Sequence, residues 1–300
     1  LMLGLSAGFL GSFAEKIGPK KSGLLAMLFW VTGLLGTAYA LSIHNLTLLY
    51  LFYGIIGGIG LGIGYITPVS TLVKYFPNRP GFATGLAIMG FGFASLIAGP
   101  LMQYLVAQVG LVDNFIILGI IYLVVMGASS LYLKAPQPKQ PTRTTKDKST
   151  MYVHNHGMLA NDAMKTWQFG ALWWVFFINI TCGIGLLSLA SPMAQEAIGM
   201  TPAAAASLVG IIGIFNGGGR IAWSTISDYL GRAQTYILFF IIEIVAFYLL
   251  AQTNSALTFQ ILILLIITCY GGGFSCMPAY LADLYGIRQL STIHGRILTA

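Results

Sequence analysis

The sequence predicts an all-α polytopic membrane protein, and three observations carry that prediction. Of the 300 residues, 57% are hydrophobic and 8% charged, against roughly 25% charged in an ordinary soluble domain. Apolar runs of about 20 residues, long enough to cross ~30 Å of hydrocarbon, recur along the whole chain. Lysine and arginine fall in every second connection between those runs, as the positive-inside rule requires of cytoplasmic loops.

Taken in order, a partial span occupies residues 1–13 and runs into the turn "GSFAEKIGPKK" (11–21), made cytoplasmic by Lys16, Lys20 and Lys21. Complete spans follow at 23–43 and 47–73, and Lys74 and Arg79 mark the next cytoplasmic turn. Spans at 82–107 and 114–133 lead into "KAPQPKQPTRTTKDKST", whose Pro, Thr and Lys content predicts a flexible cytoplasmic linker. Six cations lie between Lys134 and Lys165, and "NDAMKTWQ" reads as a short interfacial helix. Spans at 168–192 and 203–226 precede Arg232, and spans at 235–251 and 257–281 precede Arg288. A last partial span begins near Gly295. The connections around His44–Leu46, Gln108–Asp113, Met193–Pro202 and Gln252–Ala256 carry no Lys or Arg. The expected organisation is an N-terminal half (1–133), a linker (134–166) and a C-terminal half (167–300), in a piece of a longer protein. The net charge of +7 is then a topology signal: the implied surroundings are a lipid bilayer, with no nucleic-acid partner.

Other chemistries find little support. Cys182, Cys269 and Cys276 fall inside spans and read as small apolar fillers rather than a disulfide framework. The "HNH" at 154–156 offers two ligands without a third, so a solvated loop is expected and no metal. There is no Gly-x-Ser-x-Gly elbow, no His-Glu-x-x-His and no phosphate loop. Neither an enzyme nor a cofactor is expected.

The halves resemble each other. Glu15 and Gly18 of "GSFAEKIGPKK" match Asp228 and Gly231 of "STISDYLGRAQ" at a constant offset of 213. Gly62, Pro68, Tyr75 and Gly85 match Gly272, Pro278, Tyr285 and Gly295 at a constant offset of 210. A near-constant offset over several spans indicates duplication. Both transporters and channels arise this way.

The first motif, with Gly11, Glu15, Lys16 and Gly18, resembles the loop between the second and third helices of the major facilitator superfamily, Gly-x-x-x-Asp-Arg-x-Gly-Arg-Lys. An acid at a helix end, a glycine for the turn and cations toward the headgroups make a charge latch. The second copy keeps Asp228, Gly231 and Arg232 but has Tyr229 where a cation is usual, which weakens the inference of a full latch there. Within that superfamily, "GYITPVSTLVKYFPNRPGFATGLAIMGFGFAS" and "GGGFSCMPAYLADLYGIRQLSTIHGRILTA" resemble the oxalate/formate antiporter family, with monocarboxylate transporters a weaker match. The resemblance implies a major facilitator fold of two pseudo-symmetric helical halves, represented here from part of the second helix to the start of the eleventh. It implies a monomer exchanging small carboxylates in a bacterial inner membrane. It also implies that an arginine in the eighth helix and a lysine in the eleventh hold the anion; the lysine's position would fall past Ala300.

Arg220 is the arginine in question. It has no charged residue within seven positions on either side, and its eight-residue distance from Asp228 places it about 12 Å up a helix. A cation near the bilayer centre costs roughly 2.5–3.5 kcal/mol even on insertion scales. Its guanidinium matches a carboxylate in bidentate fashion. The structural alternative is an ion pair with Glu243, which stands at similar depth on the following span and itself reads as structural. Asn216 shares a face with Arg220 one turn earlier; in monocarboxylate transporters an aspartate occupies that position. Tyr65, Phe274 and Trp223 are candidate aromatic walls, each also explicable as packing. Pro68 and Pro278 are candidate hinges of an inner gate or simple kinks, and the glycines of 54–64 and 85–99 allow close helix approach.

The sequence therefore points to a secondary transporter for a small carboxylate, with a proton-coupled symporter as its nearest rival and a channel or scaffold as readings from other classes. Cysteines introduced singly into the 134–165 stretch, in a background lacking Cys182, Cys269 and Cys276, are expected to label only from the cytoplasmic side. Labelling of intact cells by an impermeant maleimide checks this, and outside labelling overturns the orientation.

Overall fold

The computed structural model describes residues 1–135 and 157–300. Most of the predicted linker and the "HNH" stretch lie outside the described residues. The helices are α1 (Met2–Ile17), α2 (Pro19–Ser42), α3 (Leu46–Leu49), α4 (Gly57–Tyr75), α5 (Pro80–Tyr132), α6 (Ala160–Ala163), α7 (Trp167–Glu196), α8 (Pro202–Leu230), α9 (Arg232–Leu250), α10 (Ala256–Tyr285) and α11 (Leu290–Ile297). Among the described residues, seven continuous helical stretches are long and apolar enough to cross a membrane.

The predicted spans map onto these helices with three differences. Spans 82–107 and 114–133 form one continuous run, α5, interrupted only at Gly110, whose φ of 84° and ψ of 174° break the helical path. Between α3 and α4 the chain widens into a π-helical segment, Tyr50–Ile56. There the Phe52 ring lies where a side chain on Gly36 of α2 would be. The last helix begins at Leu290 rather than near Gly295, and the Ser291 amide in its first turn has a partner in Glu15. The short helix expected in "NDAMKTWQ" is present as α6.

Contacts group the chain into two compact units. One comprises Leu1–Pro77, Leu101–Trp167 and Leu281–Thr299, the other Asn78–Pro100 and Gln168–Tyr280, with Ala300. Each unit draws on residues from both sides of the 134–166 stretch. In the first, α1, α2 and α4 pack through small residues: Gly60 lies against the Trp30 and Ala26 backbone, and Gly62 against Ser6 and Leu3. The Ser6 hydroxyl donates to the Gly58 carbonyl at 3.3 Å. In the second unit, Leu186, Leu208, Ile212, Phe259, Ile263 and Ile266 form an apolar core among α7, α8 and α10.

The N-terminal part of α5 meets α8 almost backbone to backbone. A Cβ on Gly92 would overlap the Gly217 backbone, and one on Gly85 would sit 2.8 Å from the Arg220 carbonyl oxygen. Gly90 has nothing within 4 Å. Gly92→Ala is therefore expected to cost about 1–3 kcal/mol through overpacking, seen as a lower unfolding midpoint in detergent. Gly90→Ala, in the same helix, is expected to cause no loss.

Candidate functional site

Arg220 stands in the middle of α8. That helix starts at Thr201, whose side chain accepts from Ala204 N at 3.3 Å, with Pro202 following, and ends at Gly231. The arginine is 4% exposed. Its Nε donates to Asn216 Oδ1 at 3.2 Å and its Nη1 to the Ile88 carbonyl of α5 at 3.4 Å. The guanidinium carbon lies 5.2 Å from the centroid of the Phe274 ring on α10, a cation–π contact. These three contacts are neutral and orient the guanidinium.

The backbone beneath the arginine is also held. Ser275 Oγ donates to the Arg220 carbonyl at 2.7 Å, as does Ser224 Oγ, and Thr84 Oγ1 donates to the Ser275 carbonyl at 2.6 Å. Three helices, α5, α8 and α10, thus fix the residue. Gly271 leaves room for it, since a Cβ there would come within 2.8 Å of Asn216 Oδ1 and 3.2 Å of Arg220 Cγ.

The structure brings Arg220, Asn216 and Phe274 together. Trp223 makes other contacts: its Nε1 donates to Thr268 Oγ1 at 3.1 Å and its ring meets Phe239 edge-on at 5.2 Å. Tyr65 belongs to the first unit, where its ring lies 5.5 Å from that of His294. The aromatic surroundings of Phe274 are instead Phe176 of α7 and Tyr270 of α10, at 5.1 and 5.4 Å. Glu243 does not pair with Arg220; its Oε1 accepts from Asn179 Nδ2 of α7 at 3.1 Å. Sequence reasoning missed Ile88, Asn179 and Ser275. The only signal for them was polar residues scattered in apolar spans, and for Ile88 there was none, because its carbonyl makes the contact. Pro68 and Pro278 both lie inside helices, α4 and α10.

The two copies of the loop motif share one geometry. Glu15 Oε1 accepts from Ser291 N, the start of α11, at 3.1 Å. Asp228 accepts from Gly81 N and Phe82 N, the start of α5, at 2.9 and 3.0 Å. In each case an acid at the end of one helix meets the positive N-terminus of another helix far along the chain. Ser291 and Gly81 are themselves separated by the repeat offset of 210, so each copy of the acid caps the helix belonging to the other copy. Gly18 and Gly231 have φ of 81° and 98°, a region where a side chain would be strained. Gly11 makes the α1–α11 approach possible, as a Cβ there would meet Thr292 Cα at 2.9 Å. Lys16 is exposed. Burial pushes the Glu15 carboxyl above its ordinary value, offset in part by Lys74 and by the Ser291 amide.

In the second copy the acid is paired with a cation despite Tyr229. Tyr229 is 74% exposed, but Arg232 Nη2 lies 2.6 Å from Asp228 Oδ1 with both side chains 7% exposed. Arg232 Nη1 also donates to Ser227 Oγ. The cation comes from i+4, at the first residue of α9, rather than from the adjacent position.

An all-helical polytopic chain with a buried arginine and paired helix-capping acids has the character of a multi-pass membrane transporter. The family model for the Major Facilitator Superfamily matches residues 1–300, and the chain belongs to that superfamily. It is 30% identical to an uncharacterized MFS-type transporter, YhjX, of Escherichia coli (strain K12), over 99% of this chain and 72% of that protein. It is 25% identical to the oxalate:formate antiporter of Oxalobacter formigenes, over 95% of this chain and 66% of that protein. The fold is also that of the transporter FucP in its outward conformation (TM-score 0.61, 14% identity, 99% of this chain and 85% of that one). It matches the human organic anion transporter MFSD10 as well (TM-score 0.65, 13% identity, 99% and 79%).

Asp228→Ala leaves Arg232 buried without its carboxylate and two amides without an acceptor. A loss of about 3–5 kcal/mol is expected, measured as thermal unfolding in detergent. Tyr229→Ala is expected to stay within about 0.5 kcal/mol.

Proposed function

We propose that this transporter exchanges small organic carboxylates of the oxalate and formate class by alternating access, with Arg220 binding the anion. The observation that carries this reading is the arginine itself, a guanidinium buried deep in a membrane helix and aimed by neutral groups. A fixed cation with a planar fork suits a carboxylate, and an aromatic face beside it suits a small planar anion. The resemblance to the oxalate:formate antiporter of Oxalobacter formigenes supports the substrate class. The relatives from two bacteria support a bacterial inner membrane as the location. Pro68 and Pro278 serve in this reading as hinges at the inner gate.

Asn216 favours exchange over proton symport. It accepts from Arg220 Nε, and an amide cannot take up and release a proton. The Arg220–Asn216 pair therefore contains no group that takes up a proton. Moving the guanidinium charge between inward and outward states is costly without an anion, so a bound anion on each leg of the cycle is favoured. A proton-coupled symporter is the alternative.

Counterflow in proteoliposomes with the pH gradient collapsed tests the reading. Rapid exchange of oxalate or formate, with little net uptake into anion-free vesicles, is expected. Arg220→Ala is expected to abolish it with membrane insertion intact, and Arg220→Lys to restore little. Uptake into anion-free vesicles that follows an imposed proton gradient replaces exchange with symport. Near-normal exchange by Arg220→Ala removes the arginine from the site.

A further inference from the structure

A second buried polar group lies in α9, apart from Arg220. Glu243 is 3% exposed and Asn179 of α7 is 0% exposed. A carboxylate so placed needs a cation or a full set of donors. Glu243 has no ion pair among the described residues. Its Oε1 accepts one hydrogen bond from Asn179 Nδ2, at 3.1 Å, and its Oε2 has no hydrogen-bond partner. Asn179 is left in the matching condition, with its nitrogen used and its Oδ1 without a donor.

The two orphaned atoms are the pair that a single proton would satisfy. An ionised carboxylate and an amide oxygen are both acceptors and cannot bond each other. A carboxylic acid and a primary amide form a closed pair, in which the amide N–H donates to the acid carbonyl and the acid O–H donates to the amide oxygen. The first of these bonds is already present. We propose that Glu243 and Asn179 form a proton-binding site between α7 and α9, with one proton held on Glu243 Oε2. The ligand is a proton taken from and returned to water, and no other bond changes.

The surroundings hold the amide in place. A Cβ on Gly273 of α10 would overlap the Asn179 amide, and the Gly273 carbonyl accepts from Tyr236 of α9 at 2.6 Å. The amide is thereby confined against a fixed backbone. The titratable groups that sense Glu243 are the thiols of Cys182 on α7 and Cys269 on α10, and the Tyr236 hydroxyl on its own helix is bonded to Gly273. From α8, Trp223 packs on Phe239 of α9, and Asp228 pairs with Arg232 at the start of α9, eleven residues before Glu243. None of these supplies a cation to Glu243. Losing the proton would leave two buried acceptors and a bare charge, so release requires water to reach Oε2. Occupancy of the site is therefore tied to the packing of α7 against α9.

The inference rests on α7 and α9 and not on the anion reading of Arg220, and its test does not use transport. Infrared spectra of the purified protein in lipid at neutral pH are compared between wild type and Glu243→Gln. A protonated-carboxyl stretch that shifts in D2O and is missing in Glu243→Gln is expected. Glutamine reproduces the acid form in shape and donors, so Glu243→Gln is expected to keep the wild-type unfolding midpoint, while Glu243→Ala lowers it. Absence of the carboxyl band in wild type overturns the proposal, since an ionised, water-bridged carboxylate would give none. So does a Glu243→Gln protein as unstable as Glu243→Ala, since charge rather than the proton would then hold the helices.

Discussion

The hydrocarbon core of a bilayer offers no water to hydrogen-bond, so every polar group at that depth must be satisfied by the protein. The rest of this structure follows from that constraint. Backbone groups pair within long helices, and hydroxyls fold back on their own helix, as Thr37 does onto the Gly33 carbonyl and Thr67 onto the Ile63 carbonyl, each at 2.7 Å. Large apolar side chains such as Ile244 and Val124 point outward, which in water would be an error and in lipid is the solvated arrangement. With no hydrophobic force left to bring helices together, close approach through glycine supplies the contact energy. The Gly92–Gly217 and Gly60–Trp30 contacts are therefore the packing core in the sense that leucine layers are in a soluble protein.

The same constraint sorts the charges by depth. At the helix ends, acids are matched to helix N-termini and nearby cations, so Glu15 and Asp228 find amides and, for Asp228, Arg232. Because each acid caps the helix related by the repeat to the one capped by its counterpart, duplication of the sequence reappears as reciprocity of contacts. Deeper in the membrane-spanning helices the two charged side chains of the second unit are treated differently. Arg220 is oriented by an amide oxygen, a backbone carbonyl and an aromatic face. Glu243 is given one amide and a shortage of donors, which a proton completes.

Much of this was legible in the sequence. Composition and the spacing of apolar runs specified a polytopic helical protein. The i, i+4 relation of Arg220 to Asn216 placed both on one face of the helix, where they hydrogen-bond. These inferences succeed because they depend on properties local to one helix: its length and its period.

What only the tertiary structure decided is which helix faces which, and how each is rotated about its axis. Glu243 and Arg220 stand at similar depth in adjacent spans, yet Glu243 meets Asn179. Trp223 lies three residues from Arg220 and packs on Phe239 and Thr268, while Phe274, on another helix, covers the guanidinium. The Arg232–Asp228 bond fills the place that Tyr229 left open. The physical reason is that a helix presents a different face every 100° or so, and the sequence of one helix does not contain the position of its neighbours. Depth and charge were written along the chain, and partnership was set by packing.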